Sequence, residues 1–498
     1  MQEGVKAEKK ATIPQDQLVG DLGKIVGAEY VLTQPSDLES YGRDWTRLHQ
    51  PCARVVVKPK STDEVSQVVK YCFDCGIPLV PSGGRTGLAG GAVAAGGEIV
   101  LSLDRMNEIL HVDKVGLTVE VEAGVTTQAV QEAAAEVGLF FPLDLAAKGS
   151  CQIGGNIATN AGGVKFIRFG GMREQVLGLE VVLPNGEVLP LNSGVRKNNT
   201  GYDLKQFFIG SEGTLGIVTK ATLKLAPPPQ NVQVALLALK SFKHVPRLLE
   251  QIHCSGAQVT ACEFFTKAAH QIVLRHTHGA QTPFAEMYPY YVLLELEDRG
   301  TAHGESSSVM EVLLEKMFER DIILDATIAT TTSQMRELWG LRENITESIA
   351  THGHARKNDI ALAVADLGPF IDDLQALIES HQKEAPPSVQ GQDQDHMIGT
   401  MEIILFGHIG DGNLHINYVA PKNEDFRDFQ ERARKIEEKV FGLLPRFKGS
   451  ISAEHGIGLT KKKDLHFSRT KYEIELMKSI KKLFDPQNIM NPGKIFDL

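Results

Sequence analysis

The sequence predicts an α+β protein made of an α/β half, an α+β half and a helical C-terminal segment. Short β-branched runs alternate with amphipathic helical stretches from residue 54 to residue 225, which is the pattern of an α/β domain. Three prolines at 227–229 then interrupt the chain, and longer strands and helices follow. Because three fixed φ angles cannot continue a central strand, the prolines are expected to separate two domains.

The first half is expected to contain short strands and helices, and one helix begins at the acidic sequence Thr62-Asp-Glu. Gly138 ends a second helix, and Pro184-Asn-Gly186 is typical of a hairpin turn. This helix is predicted at 127–137, and the strands at 55–57, 77–80, 98–103, 117–122 and 179–183.

The second half is expected to be an α+β cap with longer elements. Its strands are predicted at 232–239 and 290–296, and its helices at 242–253, 306–318, 332–350, 426–443 and 472–483. A polar stretch at 385–395 is interpreted as a surface insertion. The expected division is a tail and lead-in helix at 1–50, a nucleotide-binding domain at 51–228, a substrate or cap domain at 229–445 and a C-terminal segment at 446–498.

The composition excludes several classes of protein. The chain has 498 residues, of which 42% are hydrophobic and 23% charged, and this excludes a disordered protein. A net charge of -10 argues against nucleic acid as a partner, because phosphate contacts require a basic face. No run approaches the roughly 18 apolar residues of a transmembrane helix, and no targeting signal is evident. Six cysteines are too few for a disulfide framework, so the expected location is a bacterial cytoplasm or an organelle matrix.

Glycine is the most informative residue type. It accounts for 47 of the 498 residues, a larger share than the roughly 7% of an average protein. Glycine permits positive φ and close ligand approach, and consecutive backbone N–H groups can then bind an anion such as a pyrophosphate. Ordinary tight turns are the alternative, but three dense loops in one α/β unit favour a dinucleotide site. The first two loops match neither GxGxxG nor GxxxxGK(S/T). The three clusters lie at 81–93, 149–163 and 201–219.

Three strings in these clusters carry a family resemblance: Gly154-Gly-Asn-Ile-Ala-Thr-Asn-Ala-Gly-Gly163, Asn199-Thr-Gly-Tyr-Asp-Leu204 and Ile209-Gly-Ser-Glu-Gly-Thr-Leu-Gly216. They resemble the FAD-binding half of the vanillyl-alcohol-oxidase (PCMH-type) flavoproteins. From about Tyr41 onward the sequence resembles their D-2-hydroxyacid dehydrogenase branch, above all the D-2-hydroxyglutarate dehydrogenases and their D-lactate and glycolate relatives. The resemblance implies a PCMH-type FAD-binding domain of two α/β subdomains and a cap with an antiparallel sheet.

The same resemblance implies non-covalently bound FAD. In the family the first loop surrounds the pyrophosphate, later loops contact the flavin and the adenine, and a C-terminal asparagine returns to the flavin. Arg85 stands where other members have polar residues. The residues implied are Pro81, Ser82, Gly83, Gly84, Arg85, Thr86, Gly87, Ser150, Gly154, Asn156, Thr159, Asn160, Gly163, Glu212, Ile217 and Asn491.

Two later segments carry histidines and a glutamate beside glycines. His408 and His415 lie in Phe406-Gly-His-Ile-Gly-Asp-Gly-Asn-Leu-His415, and Glu454 and His455 lie in Ser452-Ala-Glu-His-Gly-Ile-Gly458. Two imidazoles and a carboxylate suit a divalent metal such as zinc, while hydrogen-bonded structural histidines are the alternative that spacing leaves open. The resemblance implies that His408, His415 and Glu454 bind zinc or a similar metal. It also implies that His455 is the catalytic base, which removes the substrate's hydroxyl proton.

Cations for substrate carboxylates occur in the second half. Arg342 and Thr346 are four residues apart, which places them on one face of the predicted helix, and Lys357 follows. Arginine can clamp a carboxylate bidentately, while a solvated helix face is the alternative. The resemblance implies that Arg342, Thr346, Lys357, Asn417 and His455 bind the substrate.

The expected function is oxidation of a D-2-hydroxyacid that depends on FAD and a divalent metal. D-2-hydroxyglutarate is favoured because a dicarboxylate can use both cations. A D-lactate dehydrogenase or a glycolate oxidase subunit is the alternative, and a non-redox FAD-dependent alkyl transferase and a non-catalytic flavoprotein subunit are alternatives of other classes. The sequence has no Fe–S cysteine pattern and no NAD motif, so an external acceptor such as electron-transferring flavoprotein or a quinone is expected. A homodimer is one expected assembly.

Overall fold

The computed structural model describes residues 13–191, 194–298, 308–383, 397–398 and 401–498. The charged N-terminal residues 1–12 and the polar stretch 385–395 lie outside these ranges. The helices are α1 Gln15–Val26, α2 Pro35–Gly42, α3 Thr62–Cys75, α4 Thr127–Glu136, α5 Ile153–Thr159, α6 Phe166–Phe169, α7 Met172–Gln175, α8 Val245–Cys254, α9 Lys267–His276, α10 Val309–Glu319, α11 Thr332–Glu343, α12 Ile345–His352, α13 Leu367–Lys383, α14 Phe426–Phe441 and α15 Lys471–Phe484.

The strands form three sheets within the described ranges. They are β1 Val31–Leu32, β2 Val55–Val57, β3 Leu79–Ser82, β4 Ile99–Ser102, β5 Ile109–Asp113, β6 Thr118–Glu122, β7 Val176–Val182, β8 Val188–Pro190, β9 Ile217–Lys224, β10 Val232–Leu239, β11 Gln258–Thr266, β12 Tyr290–Glu297, β13 Asp325–Ile328, β14 Gly353–Ala361, β15 Met397–Ile398, β16 Met401–His408 and β17 Asn413–Pro421.

The first sheet has the order β1-β2-β4-β3, in which β2, β4 and β3 are parallel. Helix α3 begins where the Ser61 hydroxyl accepts a hydrogen bond from the Glu64 N–H, and it buries Val65 and Val69 in the adjoining core. Because the carboxyl ends of parallel strands lie at one edge of the sheet, the glycine loop after β3 starts at the edge where such sheets bind ligands.

The second sheet is antiparallel, in the order β5-β6-β9-β7-β8. The predicted hairpin at Pro184-Asn-Gly186 is confirmed, because β7 pairs with β8 across this turn. Strands β5 and β9 were not predicted, and β9 begins inside the third glycine cluster. The first residues of β9 were assigned to a loop because small residues precede them in the sequence.

The third sheet is antiparallel and has the order β13-β10-β12-β11-β16-β17-β14, with β15 beside β16. Its central strands are buried on both faces. In β10, Leu237 faces a core that also contains residues of α8, α10, α13 and α14, while Leu236 faces a core with residues of α9, α11 and α12. Two-sided burial explains why this strand is apolar without alternation.

The predicted elements of the second half are largely confirmed, with one correction. The strand at 232–239 is observed as β10, and the helices at 426–443 and 472–483 are observed as α14 and α15. The single helix predicted at 332–350 is wrong, because the chain forms α11 and α12 with Asn344 between them. Among the described residues, no helix has the length and apolar character needed to cross a membrane.

The C-terminal segment returns to the first sheet. Asn491 N–H donates to the Leu79 carbonyl oxygen at 2.8 Å, and Leu79 N–H donates to the carbonyl oxygen of Ile489 at 2.8 Å. Buried Lys481 on α15 pairs with Asp485 at 2.5 Å and donates to the carbonyl oxygens of Thr214 and Met490 at 2.8 and 2.7 Å. This lysine therefore joins the last helix, the tail and the loop before β9.

We expect Lys481→Met to lower the free energy of unfolding by about 3 to 5 kcal/mol, because Asp485 would become a buried, unpaired carboxylate. Urea unfolding measures this change. The control is Lys70→Met, which breaks the exposed pair with Asp74 and should cost less than about 1 kcal/mol. Equal shifts for the two variants would contradict the buried role of Lys481.

Candidate active site

Two cavities meet at His455, which lines both. The first cavity, with a volume of about 1010 Å³ including its mouth, lies among the glycine loops of the first two sheets. The second, about 1280 Å³, lies between those loops and the third sheet. A group bound in one cavity can therefore lie close to a group bound in the other.

The first cavity is lined by the loop after β3 and by α5. Gly84 lies so close to the next loop that a Cβ there would be 2.1 Å from the Ser150 carbonyl oxygen. Arg85 adopts a positive φ of 58°, and its guanidinium donates to the Gly83 carbonyl oxygen at 2.8 Å. The predicted cofactor residues that line this cavity are Pro81, Ser82, Gly83, Gly84, Arg85, Thr86, Gly87, Gly154, Asn156, Thr159, Glu212 and Ile217.

The remaining predicted cofactor residues lie outside this lining. Ser150 supports the glycine loop through its backbone, and Asn160 ends α5 with a φ of 50°. Gly163 lines the second cavity and donates its N–H to Glu454 at 2.9 Å. Asn491 donates from its side chain to two backbone carbonyl oxygens beside the first cavity, at 2.7 and 2.9 Å. These four residues therefore lie beside the first cavity and not in its lining.

The Glu212 carboxylate, which lines the first cavity, also makes hydrogen bonds with the loop after His455. Its two oxygens accept hydrogen bonds from the N–H groups of Ile457 and Gly458, at 2.7 and 2.8 Å. Burial raises the pKa of Glu212 above its ordinary value, while these donors act in the opposite direction. Glu212 thus ties the loop after His455 to the wall of the first cavity.

The predicted substrate residues all line the second cavity: Arg342, Thr346, Lys357, Asn417 and His455. Arg342 is 6% exposed, so the alternative of a solvated helix face is wrong for this residue. Arg342 lies on α11 and Thr346 on α12, so the expectation of one continuous helix face is also wrong. Both residues nevertheless line the same cavity, on either side of the helix break at Asn344.

Lys357 lies on β14, with its ammonium 4.3 Å from the ring centroid of Trp45. Burial lowers the pKa of Lys357 to about 8. The neighbouring Arg356 pairs with Glu437 at 2.5 Å and donates to Gln430 at 3.0 Å. Lys357 is therefore the residue of this pair that is free to serve the second cavity.

The predicted metal ligands are brought together in the second cavity. His408 ends β16 and His415 lies on β17, and the turn between these strands places the two rings 5.3 Å apart. Glu454 approaches from the C-terminal segment, with an oxygen 3.8 Å from His408 Nε2. One ligand atom from each of the three residues lies within 4.8 Å of the others.

Glu263 on β11 is a site residue that the sequence analysis missed. Its carboxylate is 2.7 Å from His408 Nδ1 and 2.8 Å from a guanidinium nitrogen of Arg342. Burial alone would lower the pKa of His408, but Glu263 and Glu454 raise it to about 9. A charged residue inside an apolar run from 259 to 265 was the signal that could have identified it.

Asp359 on β14 was missed as well. Its Oδ2 accepts hydrogen bonds from the N–H groups of Ala453, Glu454 and His455, at 3.1, 2.8 and 2.9 Å. Burial alone would raise the pKa of Asp359, but attraction to His455 and Lys461 and the backbone donors lower it well below its ordinary value. The carboxylate therefore stays ionised and holds the loop.

His455 lies 3.8 Å from this carboxylate through its Nδ1. Burial lowers the pKa of His455 below its ordinary value, and Asp359 opposes that shift. The imidazole is therefore neutral at neutral pH, and Asp359 can stabilise the charge that forms when the ring takes up a proton.

The residues of both cavities fit the groups that the resemblance implies. For FAD, the close packing at Gly84 admits no side chain there, and glycines and small residues form much of the wall of the first cavity, which suits a backbone-lined site for a pyrophosphate. For a metal, His408 has its Nδ1 engaged by Glu263, which leaves Nε2 directed toward Glu454. A carboxylate behind a histidine is the usual arrangement around metal-binding imidazoles.

Comparison with protein families identifies both halves of the chain. The family described as "FAD linked oxidases, C-terminal domain" matches residues 228–495, and the family described as "FAD binding domain" matches residues 53–192. These matches confirm the predicted cofactor, FAD.

Among curated proteins, D-2-hydroxyglutarate dehydrogenase of Xanthomonas citri pv. viticola is 44% identical over 97% of this chain and 97% of the relative. A mitochondrial relative from Schizosaccharomyces pombe that carries a D-lactate dehydrogenase name is 37% identical over 96% of this chain and 88% of the relative.

Solved structures of lower identity share the fold. p-Cresol methylhydroxylase is 15% identical with a TM-score of 0.72, covering 97% of both chains. Alkyldihydroxyacetonephosphate synthase is 17% identical with a TM-score of 0.69, covering 98% of this chain and 87% of that one. The predicted PCMH-type fold class is confirmed.

We expect Gly84→Ala to reduce FAD content, because the new methyl group would overlap the Ser150 carbonyl oxygen and displace the loop. The flavin absorbance per purified chain measures this effect. The control is Gly20→Ala in α1, where a Cβ meets nothing within 4 Å. Full flavin content in Gly84→Ala would show that the loop does not cradle the cofactor.

Proposed function

Because the chain belongs to the D-2-hydroxyglutarate dehydrogenase family of FAD-linked oxidases, we propose that it oxidises D-2-hydroxyglutarate to 2-oxoglutarate with FAD and a divalent metal. It is an FAD-dependent oxidoreductase that acts on a CH–OH group. The observation that carries the substrate and metal assignments is the shared cavity. Carboxylate-binding cations and a metal-ligand set line the same space, and His455 connects it to the first cavity.

The proposed substrate site combines two cations with two hydrogen-bond donors in the second cavity. Arg342 and Lys357 supply two cations, which suits an acid with two carboxylates. Thr346 and Asn417 line the same cavity and can donate hydrogen bonds. Because the cavity is partly closed to water, each of these contacts is stronger than it would be at the surface.

His455 is the proposed base. Its neutral ring can accept the hydroxyl proton of the substrate, and the nearby Asp359 carboxylate stabilises the resulting imidazolium. Backbone hydrogen bonds from the 453–455 segment to Asp359 keep the ring at the junction of the two cavities. The oriented base therefore needs no large movement of the loop.

The cofactors supply the chemistry that these side chains lack. Bound FAD supplies a hydride acceptor for the α-hydrogen. A divalent metal held by His408, His415 and Glu454 supplies a Lewis acid that lowers the pKa of the substrate hydroxyl. Glu263 and Asp359 hold those ligands and the base in place.

D-Lactate is the second candidate substrate, since a relative of comparable identity carries that name. A monocarboxylate would leave one of the two cations without a partner, which favours the dicarboxylate. The proposed electron acceptor is an external carrier, electron-transferring flavoprotein or a quinone, and the proposed assembly is a homodimer. Rates of flavin reoxidation with each purified carrier distinguish the acceptors.

Turnover with a panel of 2-hydroxyacids tests the proposal. D-2-Hydroxyglutarate should bleach the flavin and turn over faster than D-lactate, and its L-enantiomer should do neither. Activity should fall on chelation and return with zinc. Equal rates for the two enantiomers would contradict the reaction, and full activity in metal-free protein would remove the metal from it.

Lys357 provides a prediction of pH dependence. Its pKa of about 8 means that the ammonium is present below that pH and is lost as the pH rises through it. We therefore expect kcat/KM for D-2-hydroxyglutarate to fall above about pH 8. In Lys357→Arg the guanidinium stays protonated, so this fall should disappear.

The substrate dependence of a Lys357 variant supplies the control. Lys357→Ala should lower kcat/KM for D-2-hydroxyglutarate by about 10- to 100-fold, which corresponds to the loss of one charged hydrogen bond. D-Lactate, which has a single carboxylate, should be affected far less. Equal decreases in kcat/KM for both acids would show that Lys357 does not bind the second carboxylate.

A further inference from the structure

We propose that Glu263 is a positioning residue that couples the metal-ligand group to the arginine that binds the substrate. This inference rests on the proposed function, because it assigns a role toward the same metal. Glu263 is 1% exposed and lies on β11 directly opposite His408 of β16 in the strand register. One of its oxygens is 2.7 Å from His408 Nδ1, and the other is 2.8 Å from an Arg342 guanidinium nitrogen.

The contact with His408 decides which ring nitrogen can bind a metal. A histidine must be neutral to bind a metal, and with Glu263 accepting from Nδ1–H the proton that leaves is the one on Nε2, the atom that faces Glu454. If the proton were on Nε2 instead, no lone pair would face the metal position. Glu263 therefore selects the binding tautomer as well as the ring orientation.

The contact with Arg342 sets the position of a buried cation. The guanidinium is 4.7 Å from the Phe406 ring centroid, and Glu263 is the carboxylate paired with it among the described residues. A buried cation without its partner is strongly unfavourable, so loss of Glu263 would displace Arg342 or draw in another anion. The substrate carboxylate would then meet the guanidinium in a different place.

Only a carboxylate can serve both neighbours. A glutamine at 263 has one oxygen and one NH₂ group. With the oxygen toward His408, its NH₂ would face the guanidinium, which is also a donor. With the oxygen toward Arg342, its NH₂ would donate to Nδ1 and move the ring proton to Nε2, where it competes with the metal. Either orientation of the amide disrupts one of the two sites.

A second buried carboxylate offers a matched control. Glu295 lies on the adjacent strand β12, is 5% exposed and pairs with Lys165 and Trp339, away from the metal-ligand group. Glu295→Gln has the same chemistry and similar burial as Glu263→Gln. If buried glutamates in this sheet act only through stability, the two variants should behave alike.

Zinc binding by metal-stripped, FAD-loaded protein tests the inference, with competition against a chromogenic chelator as the measurement. We expect Glu263→Gln to raise the zinc dissociation constant by about 10- to 100-fold. It should also raise KM for D-2-hydroxyglutarate and shift the visible spectrum of the Co²⁺-loaded protein. Glu295→Gln should leave zinc affinity and the Co²⁺ spectrum unchanged.

The outcomes separate this inference from the proposed function. Wild-type protein that binds no zinc would overturn the metal in the proposed function. Wild-type protein that binds zinc, with Glu263→Gln binding it equally well, would overturn only the role of Glu263. If Glu263→Gln loses its flavin or unfolds, Glu263→Asp replaces it. The shorter side chain withdraws the carboxylate from His408, and unchanged zinc affinity in that variant would equally overturn the role.

Discussion

Two buried carboxylates hold the loop that carries Glu454 and His455, and the rest of the site depends on them. Asp359 accepts hydrogen bonds from three successive backbone N–H groups at 453–455, and Glu212 accepts from two more at 457 and 458. Asp359 belongs to the third sheet, whereas Glu212 precedes a strand of the second. A buried carboxylate that loses its hydrogen-bond donors raises the free energy of the protein by several kcal/mol. Movement of the loop away from either carboxylate is therefore strongly unfavourable. Glu454, the proposed metal ligand, and His455, the proposed base, are thus positioned by both halves of the protein at once.

The proposed metal ligands, His408, His415 and Glu454, are likewise positioned by both halves of the protein. His408 and His415 come from a hairpin of the third sheet, while Glu454 also accepts a hydrogen bond from the Gly163 N–H of the second glycine cluster. A Cβ at Gly162 would lie 2.8 Å from that glutamate oxygen, so a glycine there leaves room for the carboxylate. A glycine cluster that the sequence associated only with the cofactor therefore also shapes the second cavity. The two cavities lie close together because the backbone of this one glycine cluster contributes to both.

Local chemistry made much of this protein predictable. The glycine loop after β3 could be identified because only small residues tolerate the backbone approach seen at Gly84. His408 and His415 were identified as candidate ligands through the family resemblance, because their spacing alone leaves structural histidines as an alternative. The contact of Glu263 with His408 could not be predicted, because it depends on the pairing of β11 with β16, which lies more than a hundred residues away in the chain. The helix break at Asn344 was missed because the apolar pattern continues through it.

The sequence by itself determined the fold class and the FAD-binding character, and it supplied the candidate residues for the proposed dicarboxylate and metal sites. The α/β and α+β character follows from periodicity and turn residues, whereas the FAD-binding character follows from the family resemblance of the glycine-rich strings. The tertiary structure alone decided that Glu263 contacts His408 and that Glu212 holds the His455 loop. It also decided that Arg342 is buried against Glu263. Such contacts join residues far apart in the chain, and burial changes the charge and hydrogen bonding of each group only after the sheets have packed.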